Sequence, residues 1–449
     1  MRTEAPGYGR GDPRTSVRAE AWRTSGAASR SKTIENRKKT VAAGCRLLIP
    51  CRWPECNTGA AVRRLGGGAD RPGVKELHMT DTAILISKLH SALHFAGEQV
   101  RATVERYPGF YPMYTRGGKW KHEGEAWTHW CDGFFPGMMW LIHRWTGDGW
   151  FREQAERYSK PLEPRQHDRD VHDLGFVFMS TYHHWYRLTR DPKLRDVMIQ
   201  AGKTMGLRFQ EKGKYLCSFV GPESCFIDIM MNVGIIFYAA RETQDVALRR
   251  VGTDHCLTTR RHLVRGDGST AHEGIFDLAT GEFLRTSTHQ GYRGDSSWAR
   301  GLAWSLYGFG TAYRYTRDRR FLETAEMNAD FYLDATPPHG VPPNDYAATS
   351  GPHQQPESSA AAIAASGLLD LASFTPSRAK SRLYRDTAFQ ILDTLTGDEF
   401  LARNTPGWDG VLKRGVYHIS KGLGVDESVM WGEYFFVEAL IKALDLLGA

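Results

Sequence analysis

The chain has 449 residues, 58 Lys and Arg against 51 Asp and Glu for a formal net charge of +7, and an aromatic content of 12%. That length suits one large domain or two to three ordinary ones, and the lack of any run of 18 or more apolar residues excludes a membrane-spanning helix. The basic surplus sits in residues 1–78, with 16 Lys and Arg against 7 Asp and Glu; the remainder, 42 against 44, offers no basic groove for a nucleic acid.

Residues 1–78 lack sustained periodicity and are rich in Arg, Gly, Ser, Thr and Pro, which predicts a disordered or non-core basic extension. Their apolar stretch VAAGCRLLIP is too short and interrupted for a secretory signal, although an Arg-rich, acid-poor composition also suits a transit peptide. Met79 opens well-patterned sequence, so the catalytic domain is expected over 79–449. Seven Cys form no C-x-x-C pair and are odd in number, which argues against a disulfide framework or a zinc site and for a reducing, cytoplasmic compartment.

From residue 80 onward, apolar residues recur at helical steps over 80–105, 133–160, 174–205, 226–250, 296–333, 358–374, 379–397 and 429–448. Thr146-Gly147-Asp148, Thr189-Arg190-Asp191, Thr243-Gln244-Asp245 and Thr316-Arg317-Asp318 each follow one helical pattern and precede another. Their Thr and Asp are expected to cap and turn helical hairpins. The irregular spacings of 43, 54 and 73 residues point away from a solenoid and toward a closed toroid. The fold class is therefore all-α, a barrel of about twelve helices. The Gly-, Pro- and aromatic-rich loops 107–131, 212–225, 264–295, 336–357 and 403–428 should gather at one mouth.

Within this pattern Thr288–Trp304 (THQGYRGDSSWARGLAW) concentrates polar and aromatic groups at a helix start. Asp295, Ser296 and Ser297 are N-cap types, and Trp298, Leu302, Leu306, Phe309 and Tyr313 form an apolar face behind them. Arg300 and Trp304 stand four apart and should project together. A cation, an amide and flat rings suit an anionic ring such as a sugar acid; the competing reading is an amphipathic core helix with a surface Arg.

Three acids lie in apolar surroundings: Asp132 in Trp130-Cys131-Asp132-Gly133-Phe134, Asp173 in His172-Asp173-Leu174-Gly175-Phe176, and Asp228 in Phe226-Ile227-Asp228-Ile229-Met230-Met231-Asn232. Desolvation raises a carboxyl pKa and fits the group to hold a proton for general acid work. Asn232, one turn after Asp228, could hydrogen-bond it; the alternative is that each Asp merely caps a helix. Paired carboxyls are the usual equipment of glycoside hydrolysis. His172, His272 and His289 could donate to a substrate hydroxyl or orient a carboxylate, although a lone His is more often structural. No G-x-S-x-G, P-loop, H-E-x-x-H or complete G-x-G-x-x-G occurs.

Taken in order, the W-x-D-G-F segment, HDLGF, an Asp in a hydrophobic helix, THQG…D-x-S-x-W-x-R-G-x-A-W, SSAAAIAASGLL and VDESVMWGEYFFVEAL resemble the unsaturated glucuronyl hydrolases of glycoside hydrolase family 88, over about 107–449. The resemblance implies an (α/α)6 barrel without metal or cofactor, acting on the Δ4,5-unsaturated uronic acid that lyases leave at a non-reducing end. It implies Asp228 as principal acid/base and Asp173 as partner carboxylate. Trp130, Asp132, His172, His272, His289, Gln290, Arg300, Trp304 and Tyr417 are the implied substrate contacts, with Arg300 and Gln290 on the sugar carboxylate. In the implied reaction Asp228 protonates C4 and water adds at C5, so the carboxylate-spacing rule for displacement at C1 does not apply. The chain departs from the family pattern at Phe219-Val220, where no Trp precedes Gly221-Pro222, at Pro343-Asn344-Asp345, which lacks an aromatic, and at Tyr417–Gly422, which only partly matches a sulfate-linked Ser/Lys pattern. The expected partner is an unsaturated uronic-acid oligosaccharide, glycosaminoglycan fragments foremost, with the protein a monomer or weak homo-oligomer and no nucleic-acid or membrane partner. Rival readings are a rhamnogalacturonyl hydrolase on the same toroid, a barrel-type sugar epimerase using His bases, and a non-catalytic glycan-binding toroid.

Overall fold

The computed structural model describes residues 79–122 and 129–449; the extension expected over 1–78 lies outside the described residues. Thirteen α-helices run through them: α1 (Met79–Arg106), α2 (Phe134–Thr146), α3 (Gly149–Ser159), α4 (Leu174–Ser180), α5 (Tyr182–Thr189), α6 (Pro192–Gly206), α7 (Ile229–Thr243), α8 (Val246–His262), α9 (Ala299–Thr316), α10 (Arg319–Ala335), α11 (Ser358–Phe374), α12 (Arg378–Leu395) and α13 (Met430–Leu447). The single residue Thr181, with φ −117° and ψ −81°, separates α4 from α5, so the two act as one broken helix and the count of twelve holds.

Neighbour relations close a ring. α2 packs on α4, α4 on α7, α7 on α9, α9 on α11, α11 on α13, and α13 back on α2. α3, α6, α8, α10, α12 and α1 lie outside it, each packed on an inner helix. This is an (α/α)6 barrel. The inner helices are apolar nearly all round because neighbours cover both flanks: in α11, Ala360–Ala365 is fully buried. Small residues let the inner ring close. A Cβ added at Gly175 would lie 2.5 Å from Asn232 Cα, and one at Gly308 2.5 Å from the Met230 carbonyl group.

The Thr-x-Asp turns behave as their chemistry predicts. The middle residues Gly147, Arg190, Gln244 and Arg317 are left-handed at the helix C-cap, and Asp148, Asp191, Asp245 and Asp318 each accept a backbone N–H from the next helix. The segments 133–160, 226–250 and 296–333 are thus hairpins and 174–205 is three pieces, whereas 80–105, 358–374, 379–397 and 429–448 are single helices. The segment 296–333 begins three residues late: α9 starts at Ala299 with extended Trp298 as N-cap, and Asp295, Ser296 and Ser297 precede it. Ser296 Oγ instead donates to Asp345 Oδ2 at 2.6 Å, tying the helix entry to the 343–345 loop.

The chain alternates from inner to outer helix, so all six inner helices present their N-termini to one mouth. Short antiparallel β-structure decorates the described residues: Tyr114–Arg116 pairs with Lys119–Lys121, Gly415–His418 with Leu423–Glu427, and Glu273–Phe276 lies between Ser224–Phe226 and Phe283–Ser287. No helix among the described residues is long and apolar enough to cross a membrane.

Candidate active site

At that mouth one cavity is lined by Trp130, His172, Asp173, Phe176, Phe219, Phe226, Asp228, His289, Gln290, Arg300, Tyr417 and His418. Asp173 and Asp228 occupy the N-cap positions of α4 and α7, yet neither side chain accepts a capping hydrogen bond. The four Thr-x-Asp acids do cap, so the difference is one of role. Asn232 does not reach the Asp228 carboxyl: its Nδ2 donates to the Asp228 backbone carbonyl at 3.3 Å, and its Oδ1 accepts from Phe176 N–H at 2.7 Å, locking α7 to α4.

Burial pushes both carboxyls up. Asp228 rises to about 7, opposed by the Arg300 charge. Asp173 rises to about 8, burial reinforced by the negative charge of Asp228 and opposed by Arg165 and Arg208. The pair therefore holds at least one proton at neutral pH.

Each acid faces a neutral imidazole whose tautomer the backbone fixes. His272 Nδ1 accepts from the N–H groups of His289 (3.0 Å) and Gln290 (3.2 Å), so Nε2 carries the proton and faces Asp228 Oδ2 at 3.6 Å. His172 Nδ1 accepts from Phe219 N–H at 3.1 Å, which turns its Nε2–H toward Asp173 Oδ1 at 3.4 Å. Burial holds both rings well below the ordinary histidine pKa. They are donors, which removes the imidazole bases an epimerase would need at these two positions. Ile227 N–H donates to the His272 carbonyl at 2.9 Å and sets Asp228 beside its histidine.

Arg300 is 1% exposed and lies between two indoles, 4.2 Å from the Trp298 ring centroid and 5.0 Å from that of Trp431. Its terminal nitrogens are directed to protein acceptors: Nη1 to the Val416 carbonyl, Nη2 to Gln290 Oε1 and, at 3.0 Å, to the Tyr417 carbonyl. Glu357, fully buried at the N-cap of α11, balances the charge at 3.5 Å. Arg300 thus supplies a fixed positive field and orients Gln290, whose amide N–H groups stay on the donor side. Arg300 lines the cavity with its terminal nitrogens already held by protein acceptors.

Three expected contacts stand off the cavity wall. Trp304 is 1% exposed, with its ring 5.0 Å from Phe176 and 5.4 Å from Phe435, and does not line the cavity. It does share a face with Arg300, but four residues of helix carry it about 6 Å down the barrel, from rim to core. Asp132 also lies off the cavity, its Oδ2 3.4 Å from His129 Nδ1 and 3.7 Å from Arg165 Nη1. His272 stands behind Asp228 rather than on the wall. Trp130 and Tyr417 line the wall, both packed on the buried Trp431 with ring centroids 4.6 and 5.2 Å from it.

In the sequence alone no site role was evident for Phe176, Phe219, Phe226 and His418, which line the cavity, or for Glu357, which pairs with Arg300. Phe219 stacks on His172 at 5.5 Å and 17°, so an aromatic wall persists where the expected Trp is missing. Glu357 carried a signal of its own, as the one acid directly before the uncharged run SSAAAIAASGLL.

A larger cavity of about 460 Å³ opens at the opposite end, beside Arg144, Arg187, Arg241, Arg314 and Lys442. The four arginines stand in the last turns of α2, α5, α7 and α9, where a cation offsets the partial negative charge of a helix C-terminus. Asp370 there is held low, burial being outweighed by Lys442 and Arg314. Of these two cavities, it is the first that holds carboxyls raised toward neutrality.

Proton donation to a ring-shaped ligand is what that cavity is equipped for, and on an (α/α)6 toroid this defines a glycoside hydrolase. The profile of Glycosyl Hydrolase Family 88 matches residues 110–337. The unsaturated glucuronyl hydrolase of Bacillus sp. (strain GL1) is 33% identical over 326 residues, 70% of this chain and 86% of that protein. The unsaturated chondroitin disaccharide hydrolase of Streptococcus pyogenes serotype M1 is 28% identical over 361 residues, 78% of this chain and 90% of that one. The crystal structure of an unsaturated glucuronyl hydrolase specific for heparin superposes with a TM-score of 0.76 at 29% identity, covering 81% of this chain and 98% of the other. The chain belongs to glycosyl hydrolase family 88.

Proposed function

We propose that this enzyme removes the Δ4,5-unsaturated glucuronyl residue from the non-reducing end of lyase-generated glycosaminoglycan oligosaccharides by hydrating the C4=C5 enol ether. The observation that carries this reading is Asp228: a carboxyl at a helix N-cap that caps nothing, kept protonated by burial, in a cavity walled by aromatic rings. The relatives' names, glucuronyl, chondroitin and heparin, supply the substrate class.

In the proposed cycle the Asp228 proton passes to C4, and positive charge develops on C5 and the ring oxygen. The new carboxylate is stabilised by the Arg300 field and by His272 Nε2–H. Water attacks C5 while Asp228 takes back a proton, so one residue serves as acid and then base. The C5 hemiketal opens and the C1 hemiacetal collapses, freeing the shortened saccharide and a keto acid. Asp173, which titrates above Asp228, acts as a neutral donor to a substrate hydroxyl. Gln290 N–H groups and the positive ends of six inner helices receive the substrate carboxylate.

The test is loss of the ultraviolet absorbance of the conjugated C=C–COO⁻ group in an unsaturated chondroitin disaccharide. Wild type is expected to bleach it, and Asp228→Asn to turn over about 10²–10⁴-fold more slowly with binding retained. Equal rates in both proteins would overturn the role of Asp228.

A further inference from the structure

Three metal-ligating side chains converge beside the sugar cavity without belonging to its wall. His122 follows the strand Lys119–Lys121, and His129 and Asp132 lead into α2. Their ligand atoms all lie within 4.8 Å of one another. His122 Nε2 is 3.0 Å from His129 Nδ1, His129 Nδ1 is 3.4 Å from Asp132 Oδ2, and His122 Nε2 is 4.0 Å from Asp132 Oδ1. Ligands 2.0–2.1 Å from a tetrahedral ion stand about 3.3 Å apart, which these spacings bracket.

Protonation states agree with the geometry. His122 Nδ1 bonds the Tyr111 carbonyl, which it can do only as an N–H donor. In the neutral ring that tautomer leaves Nε2 as a lone pair facing the cluster, the arrangement by which a backbone carbonyl orients a metal-binding imidazole. Asp132 Oδ1 is buried and has no hydrogen-bond partner, with the side chain 9% exposed. A single N–H···N bond between the two rings would explain their contact but leaves that oxygen unmet. Arg165 is the opposing charge: it lies 3.7 Å from the other oxygen, Oδ2, and also faces Asp168 at 3.5 Å.

We propose that His122, His129 and Asp132 bind a borderline divalent transition ion of the Zn²⁺ class. Two imidazoles and one carboxylate suit such an ion rather than Ca²⁺ or Mg²⁺, which prefer oxygen ligands. Its role would be structural: it joins the hairpin ending at Lys121 to the entry of α2 and fixes Trp130, the residue after His129, in the cavity wall. No step of the hydration passes through it.

The full chain, stripped with a chelator, is titrated with Zn²⁺ against a competing chromophoric chelator. Wild type should bind one equivalent more than His122→Asn/His129→Asn. Co²⁺ in place of zinc should give d–d absorption without thiolate charge transfer, and the double variant should lose that spectrum. Should the double variant not fold, the near-isosteric Asp132→Asn must weaken binding at least about tenfold, on the scale of a lost orienting partner. Absent binding in wild type, unchanged stoichiometry and affinity in the variants, or a cobalt spectrum of thiolate type would each overturn the site.

Discussion

Asp228 and Asp173 stand at positions where an aspartate normally accepts the first free N–H groups of a helix, and both leave those groups alone. Burial strips water from the Asp228 carboxyl and outweighs the pull of the Arg300 charge, so it keeps its proton to about pH 7. The sign of the pH dependence follows. The first step needs neutral Asp228, so kcat/KM should be flat on the acid side and fall as pH rises through about 7. Asp173 is pushed up as well, to about 8, so its ionisation falls on the same alkaline side and no rising limb from a carboxylate base is expected below neutrality. A steady-state pH profile on unsaturated disaccharide checks this, and a rate that climbs through neutrality would contradict it. The neutral histidines sharpen the point: with Nδ1 of each occupied by backbone N–H groups, neither can take the proton in place of the aspartate.

The elements were legible in the sequence to the extent that their chemistry is local. Thr-x-Asp turns need only a left-handed middle residue and an aspartate cap, and all four are found. The break at Thr181 between α4 and α5 was not legible, because a single non-helical residue hardly interrupts the 3.6-residue period. The start of α9 was set early because Asp295, Ser296 and Ser297 have capping chemistry, while Ser296 is claimed by Asp345, 49 residues away. Gly175 and Gly308 hold α4 and α9 against α7 through contacts that leave no room for a methyl group. Gly175→Ala must displace Asn232 backbone rather than a flexible side-chain end, and should cost about 1–3 kcal/mol by denaturant titration. Because Asn232 is hydrogen-bonded to the Asp228 carbonyl, activity should fall with stability.

At the scale of the molecule, the ring of inner helices puts six N-termini and two protonated acids at one mouth and arginines at the other end. The acids could be picked out because HDLGF and FIDIMM set them in apolar surroundings, but a separation of 55 residues says nothing about whether they meet. Closure of the ring brings them together, and the same closure takes Trp304 into the core and hides Arg300 between indoles. The pairing of Glu357 with Arg300 and the convergence of His122, His129 and Asp132 were not legible for the same reason: they depend on distant segments or on side-chain orientation. The central claim is that the enzyme itself delivers a proton to C4. Running the reaction in D₂O and recording the released keto acid by NMR at early times tests this most directly. The account predicts one deuteron at C4, on a single face. Equal deuteration of both C4 positions, or an unsaturated free sugar appearing before the keto acid, would contradict it and move the chemistry to C1.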